Sequence, residues 1–338
     1  MLGDDRVNVL SLFDGMSCGQ IAFNKLKITF NGKKNKYFAS EIDPYATTVT
    51  KKNYPDTIHI GDVTKVRYEN GVLYTEYGEY ETKIDMIIGG SPCQGFSFAG
   101  KMLNFNDERS KLFFEFVRIL KEIKPKYFLL ENVQMKKEYE EVISAYLGVT
   151  PIIINSSLVS AQNRTRLYWT NIPNIVLPED RGITWGDVRE HGVDISSYYY
   201  SDKALKWIHR HGCRKQKKLK IHSDAEKMQM LEASHYKKYS SQRYFGILDN
   251  GICNKLQKDT LSTLCDNLED SPFTDYSSVL QGDLGYRYIT PIECERLQNV
   301  PDNYTDCVSN TQRYKMLGNG WTVDVISHIL NHANFNNL

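Results

Sequence analysis

Ile84-Asp85-Met86-Ile87-Ile88-Gly89-Gly90-Ser91-Pro92-Cys93-Gln94 reads as a buried strand that ends in a tight turn holding a cysteine. Gly89-Gly90 let another group approach the backbone, and Pro92 restricts the chain just ahead of the thiol. In an α/β sheet the carboxyl end of a strand is where ligands bind. There a thiolate acts as a nucleophile, whereas most free cysteines are small buried hydrophobes. The segments on either side decide between these two readings.

Before this strand, Val7 to Phe13 is a short apolar strand followed by Gly15 and Gly19 and then a helix from about Ile21. Tyr37 to Glu41 is a second strand, and Asp43-Pro44 cap and start a helix. Ile58 to Asp62 is a third. After it, Ser110 to Lys121 has helical period, with Leu112, Phe113, Phe116, Val117 and Leu120 on one side. Tyr127 to Asn132 is a further strand. Such alternation predicts an α/β fold, a parallel sheet with helices on both faces. Val66 to Glu81 interrupts it: Asn70-Gly71 between strand-like runs predicts a projecting β-hairpin. Helices are also expected over 291–297 and 323–330.

The 338 residues are enough for two domains, and their net charge of +1 excludes no partner. Seven cysteines form no Cys-x-x-Cys pair and no Cys/His cluster with zinc spacing, so no metal is expected, and a reducing compartment is. The amino terminus lacks a signal-peptide pattern and no apolar run approaches the length of a membrane span, which predicts a cytoplasmic protein without a membrane partner. One region departs from the neutral average. Between residues 201 and 243 there are 12 basic and 4 acidic residues, interleaved with Trp207, Tyr236, Tyr239 and four histidines. A charge run is usually a solvated face, but this mixture suits a phosphate backbone with stacking contacts.

Taken in order, several segments resemble the cytosine-5 DNA methyltransferases of bacteria and phages. Phe13-Asp14-Gly15-Met16-Ser17-Cys18-Gly19 looks like the first cofactor motif, Ser91-Pro92-Cys93-Gln94 like the nucleophile motif and Glu131-Asn132-Val133 like the glutamate motif. Gln162-Asn163-Arg164-Thr165-Arg166 fits the Gln-x-Arg-x-Arg motif. Arg287 to Pro291, continuing to Gln298, matches the helix after the recognition region, and Gly318-Asn319 opens the last motif. Phe13-Asp14-Gly15 and Tyr304-Thr305-Asp306 also bear some likeness to the de novo type of vertebrate DNA methyltransferases. Gly320-Trp321 stands where a small residue and then valine are more usual.

The resemblance implies a discontinuous catalytic domain, residues 1–171 and 287–338, and a target-recognition domain, 172–286. It implies a Rossmann-like sheet that binds S-adenosyl-L-methionine through Phe13, Asp14, Gly15, Gly19, Glu41, Ile42, Asp62, Val63, Pro92, Leu112, Asn319 and Trp321. Gln94, Ser97 and Arg109 are the expected contacts to double-stranded DNA, and a cognate restriction endonuclease is a possible partner.

The chemistry asks for the same residue types. Cytosine C5 takes a methyl group only after a thiolate adds at C6, the role expected of Cys93. A carboxyl group that protonates or hydrogen-bonds N3 eases that addition, which suits Glu131. Arg166 is expected to hold the base carbonyl and Arg164 to orient Glu131 or stabilise charge nearby. The target atom is unreachable inside a duplex, so the base must be flipped out. No Gly-x-Gly-x-x-Gly follows the first strand, which disfavours a dehydrogenase. Two other readings share the scaffold: a tRNA cytosine-5 methyltransferase, whose Cys-Phe-Thr segment is absent, and an inactive DNA-binding regulator, which would lack the nucleophile or the glutamate.

Overall fold

The computed structural model describes residues 6–32, 34–92, 108–201, 203–204, 224–240, 247–249 and 285–335. The elements run β1 (Asn8–Leu12), α1 (Cys18–Lys25), β2 (Lys36–Ser40), α2 (Pro44–Asn53), β3 (Ile58–His59), β4 (Arg67–Glu69), β5 (Val72–Thr75), β6 (Gly78–Glu81) and β7 (Met86–Gly89). They continue with α3 (Glu108–Ile123), β8 (Tyr127–Val133), α4 (Lys137–Leu147), β9 (Ile152–Asn155), β10 (Gln162–Asn163), β11 (Thr165–Thr170) and α5 (Trp185–Val188). Last come β12 (Met228–Gln229), β13 (Ile247–Asp249), β14 (Gly285–Arg287), α6 (Pro291–Leu297), α7 (Asn310–Asn319) and α8 (Val323–Leu330). Two compact units result: residues 1–159, 164–179 and 320–338 form one, and 160–163 with 180–319 the other. Residues 287–319 thus pack with the second unit, a division by packing that differs from the functional partition expected from sequence.

The first unit holds a seven-stranded sheet in the order β3-β2-β1-β7-β8-β11-β9. Its strands are parallel except β11, which runs antiparallel to both β8 and β9. Strand order reverses between β1 and β7, and ligands bind outside the carboxyl ends of strands at such a switch point. Alternation along the strands supplies two apolar faces. Leu10, Leu12, Phe38, Ile87, Phe128 and Leu130 form one buried cluster with Phe113, Phe116 and Val117 of α3 and Ile143 and Leu147 of α4. On the opposite face α1 lies so close that a Cβ on Gly19 would stand 2.6 Å from both Ile88 Cδ1 and the Tyr37 hydroxyl. Helix α8 packs against α1 there. Fully burying one such Leu or Phe is worth roughly 1.5–3 kcal/mol.

Asp43 caps α2 as expected, accepting from Tyr45 N at 2.9 Å ahead of Pro44 at the first turn. The segment over 66–81 differs from the expected projecting hairpin. It is a three-stranded meander, β4-β5-β6, with Asn70-Gly71 at its first turn and both φ positive. It is folded down rather than projecting: Leu73 is fully buried and Tyr80 meets Phe38 edge to face at 5.3 Å. Arg118 Nη2 of α3 donates to Val66 O at 2.7 Å and so ties the meander to the helix. Gly78 continues the pairing into a third strand that the Asn-Gly signal did not announce.

In the second unit, α6 begins with a reciprocal cap. Glu293 N donates to Thr290 Oγ1 at 3.2 Å and Thr290 N to Glu293 Oε2 at 2.8 Å. Arg287 Nη2 pairs with Glu293 Oε1 at 2.7 Å with both side chains fully buried. Gln162 Nε2 donates to Leu297 O at 2.6 Å and anchors β10 within this unit.

Candidate active site

The loop after β1 alternates left-handed residues: Phe13, Gly15 and Ser17 have φ of 60°, 59° and 62°. For Phe and Ser this conformation costs energy, and such strain concentrates at functional sites. Three acids hold the loop and its neighbours. Asp14 Oδ1 accepts from the Tyr37 hydroxyl at 2.8 Å, and the Ser17 hydroxyl donates to its other oxygen. Burial pushes Asp14 up to about 6. Glu41, just past β2, accepts from Gly15 N with Oε2 at 2.8 Å and from Ile42 N and Asp43 N with Oε1, each at 2.8 Å. It thereby clamps the loops after β1 and β2 together. Asp62, past β3, accepts from Thr64 N at 2.9 Å.

These residues frame an open space. Nothing lies within 4 Å of where a Cβ on Gly15 would be, and Ile42 is 75% exposed beside Glu41. Phe13 and Leu112 pack partly buried on the core cluster. Val63 points into that core, so only its backbone is available to a ligand. Asn319 ends α7 in the second unit.

The second half of the site is on β8 and β11. Glu131 and Tyr168 are register partners, which puts Arg166, two residues back along β11, diagonally across from the carboxylate on the same face. Arg166 Nε meets Glu131 Oε1 at 3.0 Å, both nearly buried. Trp321 Nε1 donates to the other oxygen at 3.2 Å. A Cβ on Gly90 would sit 3.2 Å from Glu131 Oε2, so the strand end that leads to Ser91-Pro92-Cys93 passes directly under the carboxylate. Asn132 Nδ2 reaches Ser91 O at 3.4 Å and steadies the same turn. Arg164 is buried and its Nη2 donates to Gly320 O at 2.9 Å; burial and the adjacent Arg166 push it down to about 9, still charged at neutral pH.

The structure thus brings Glu131, Arg166, Trp321 and Pro92's turn together at one end of the sheet, next to the acids of the β1–β3 edge. Cys93, Gln94 and Ser97 lie outside the described residues, and Arg109 falls in the first turn of α3. Sequence reasoning gave Arg164 the task of orienting Glu131 or stabilising charge nearby; Arg166 is in an ion pair with Glu131, and Arg164 donates to Gly320 O. Tyr37 was missed. Its hydroxyl needs a partner once buried, and a buried tyrosine one strand from an acidic loop is the signal that could have found it.

Fold and site together define an α/β protein with three loop acids at one sheet edge and a carboxylate–guanidinium centre on β8 and β11. The family model for C-5 cytosine-specific DNA methylases matches residues 7–334. Type II methyltransferase M1.ScrFI of Lactococcus lactis subsp. cremoris is 30% identical, over 96% of this chain and 77% of its own. Type II methyltransferase M.HpaII of Haemophilus parainfluenzae is 29% identical, over 95% and 87%. Among solved structures, the Entamoeba histolytica methyltransferase EhMeth superposes with a TM-score of 0.69 at 18% identity, over 97% of each chain. The chain belongs to the C-5 cytosine-specific DNA methylases, a family that uses S-adenosyl-L-methionine.

Proposed function

We propose that this DNA cytosine-5 methyltransferase acts through Cys93, Glu131, Arg164 and Arg166 on a cytosine flipped out of duplex DNA. The observation that carries this reading is the position of Glu131 over Gly90, 3 residues before Cys93. The Cys93 thiolate adds to C6 of the ring, and the displaced electron pair makes C5 nucleophilic. Glu131 supports the addition at N3, while Arg166 holds its carboxyl group in place and reaches toward the base carbonyl. After transfer the C5 proton leaves and the Cys93–C6 bond breaks, which frees the enzyme.

The residues of the β1–β3 edge fit S-adenosyl-L-methionine. Glu41 and Asp62 suit the ribose hydroxyls and the adenine amino group, Phe13 and Ile42 cover the adenine, and the open space above Gly15 admits the methionine part next to Asp14. Gly19, Val63, Pro92, Leu112, Asn319 and Trp321 complete the contacts. Bound there, the sulfonium supplies an electrophilic methyl group. Gln94, Ser97 and Arg109 contact DNA, residues 172–286 read the target, and residues 1–171 with 287–338 carry the chemistry. No helix among the described residues is long and apolar enough to cross a membrane. We place the enzyme in the cytoplasm, acting on double-stranded DNA, with a cognate restriction endonuclease as a partner.

The test is label transfer from tritiated S-adenosyl-L-methionine to mixed-sequence duplex DNA and, in parallel, to tRNA, with bisulfite sequencing of the DNA product. Protected cytosines in one short context, lost in Cys93→Ala, are the expected outcome. Label on tRNA alone would move the substrate to RNA, and transfer that persists in Cys93→Ala would overturn the mechanism.

A further inference from the structure

We infer that Trp321 is a positioning residue for methyl transfer, acting through Glu131; the inference rests on the role just proposed for that carboxyl group. Two donors address Glu131 from different directions. Arg166 Nε holds Oε1 at 3.0 Å and the Trp321 indole N–H holds Oε2 at 3.2 Å. With both oxygens engaged, the carboxyl plane is set, and so is the lone-pair direction left for a base.

The indole is itself held by the chain on either side. Arg164 Nη2 donates to Gly320 O at 2.9 Å, and the Ser156 hydroxyl donates to Thr322 Oγ1 at 2.8 Å. Room for the ring comes from Gly90, where a Cβ would stand 2.9 Å from Nε1.

In Trp321→Phe, which keeps a ring, the single-turnover rate of methyl transfer at saturating S-adenosyl-L-methionine should fall about tenfold. In a Glu131→Gln background the same substitution should change the rate by less than about twofold, because the partner it acts through is gone.

A raised cofactor Kd with an unchanged saturated rate would overturn the inference and make the ring a pocket wall. So would a full tenfold loss in the Glu131→Gln background, the mark of a purely structural role. Wild-type protein that transfers no methyl group would overturn the activity reading itself.

Discussion

At the scale of single residues the site is organised by acids whose oxygens are already committed. Asp14 shows the consequence in titration. Its pKa is about 6 in the fold against an ordinary 3.8 because burial penalises the charge. The folded protein therefore keeps this proton to higher pH than the unfolded chain does. Its contribution to stability is fully present below about pH 4 and is lost as pH rises through about 6. Asp14→Asn keeps an acceptor for Tyr37 and removes the titration. In thermal melts without cofactor, the melting temperature of the variant should gain on that of the wild type between pH 4 and 7; a constant difference would show that Asp14 is unperturbed. Arg166 is the opposite case, since its partner is what suffers. Arg166→Ala leaves Glu131 nearly buried with its main counter-charge gone. Breaking a buried pair in this way costs about 3 kcal/mol or more, so the variant should melt several degrees lower and transfer no methyl group. A variant as stable as the parent would mean that water replaces the guanidinium.

At the scale of elements, close approach explains what the glycines do. A Cβ on Gly89 would sit 2.9 Å from Leu12 O and 3.0 Å from Phe116, so β7 lies tight between β1 and α3. Phe116 is fully buried at that contact, and Phe116→Ala should destabilise by about 3–5 kcal/mol in urea titration. A loss under about 1 kcal/mol would mean that α3 collapses onto the gap. The strands β1, β2, β7 and β8 were legible because they are short apolar runs ended by turn residues. Helices α2, α6 and α8 were legible from a cap, a proline or an unbroken apolar face. Strand β11 was not. Its sequence, Thr165 to Thr170, alternates Arg166 and Tyr168 with Leu167 and Trp169, and both rows are buried. The arginine disguises a core strand because its counter-charge sits on β8, and pairing across strands has no local signature. The same reason hid the ion pair of Arg166, which depends on the antiparallel register of β11 on β8.

At the scale of the whole molecule, charge is unevenly spread. The net value is +1, yet residues 201–243 carry 12 basic and 4 acidic side chains, most of them outside the described residues. Asp14, Glu41 and Asp62 belong to the other unit and offer no positive charge to a phosphate. Binding to duplex DNA therefore depends on the basic run if that run tracks the backbone. Each phosphate neutralised releases counterions, and the slope of log K against log salt is about −0.9 per contact. Replacing Lys215, Lys217, Lys218 and Lys220 with glutamine should make that slope shallower by about 2–4 units if most of the four make contact. Binding should weaken similarly on all sequences, because phosphate contacts position the protein and do not read bases. Affinity for S-adenosyl-L-methionine should not change, since none of these four lysines is among the residues assigned to the cofactor. An unaltered salt slope in the quadruple variant would take the run off the DNA and leave it a solvated face. A lost preference for one target context at an unaltered slope would instead make these lysines readers of sequence.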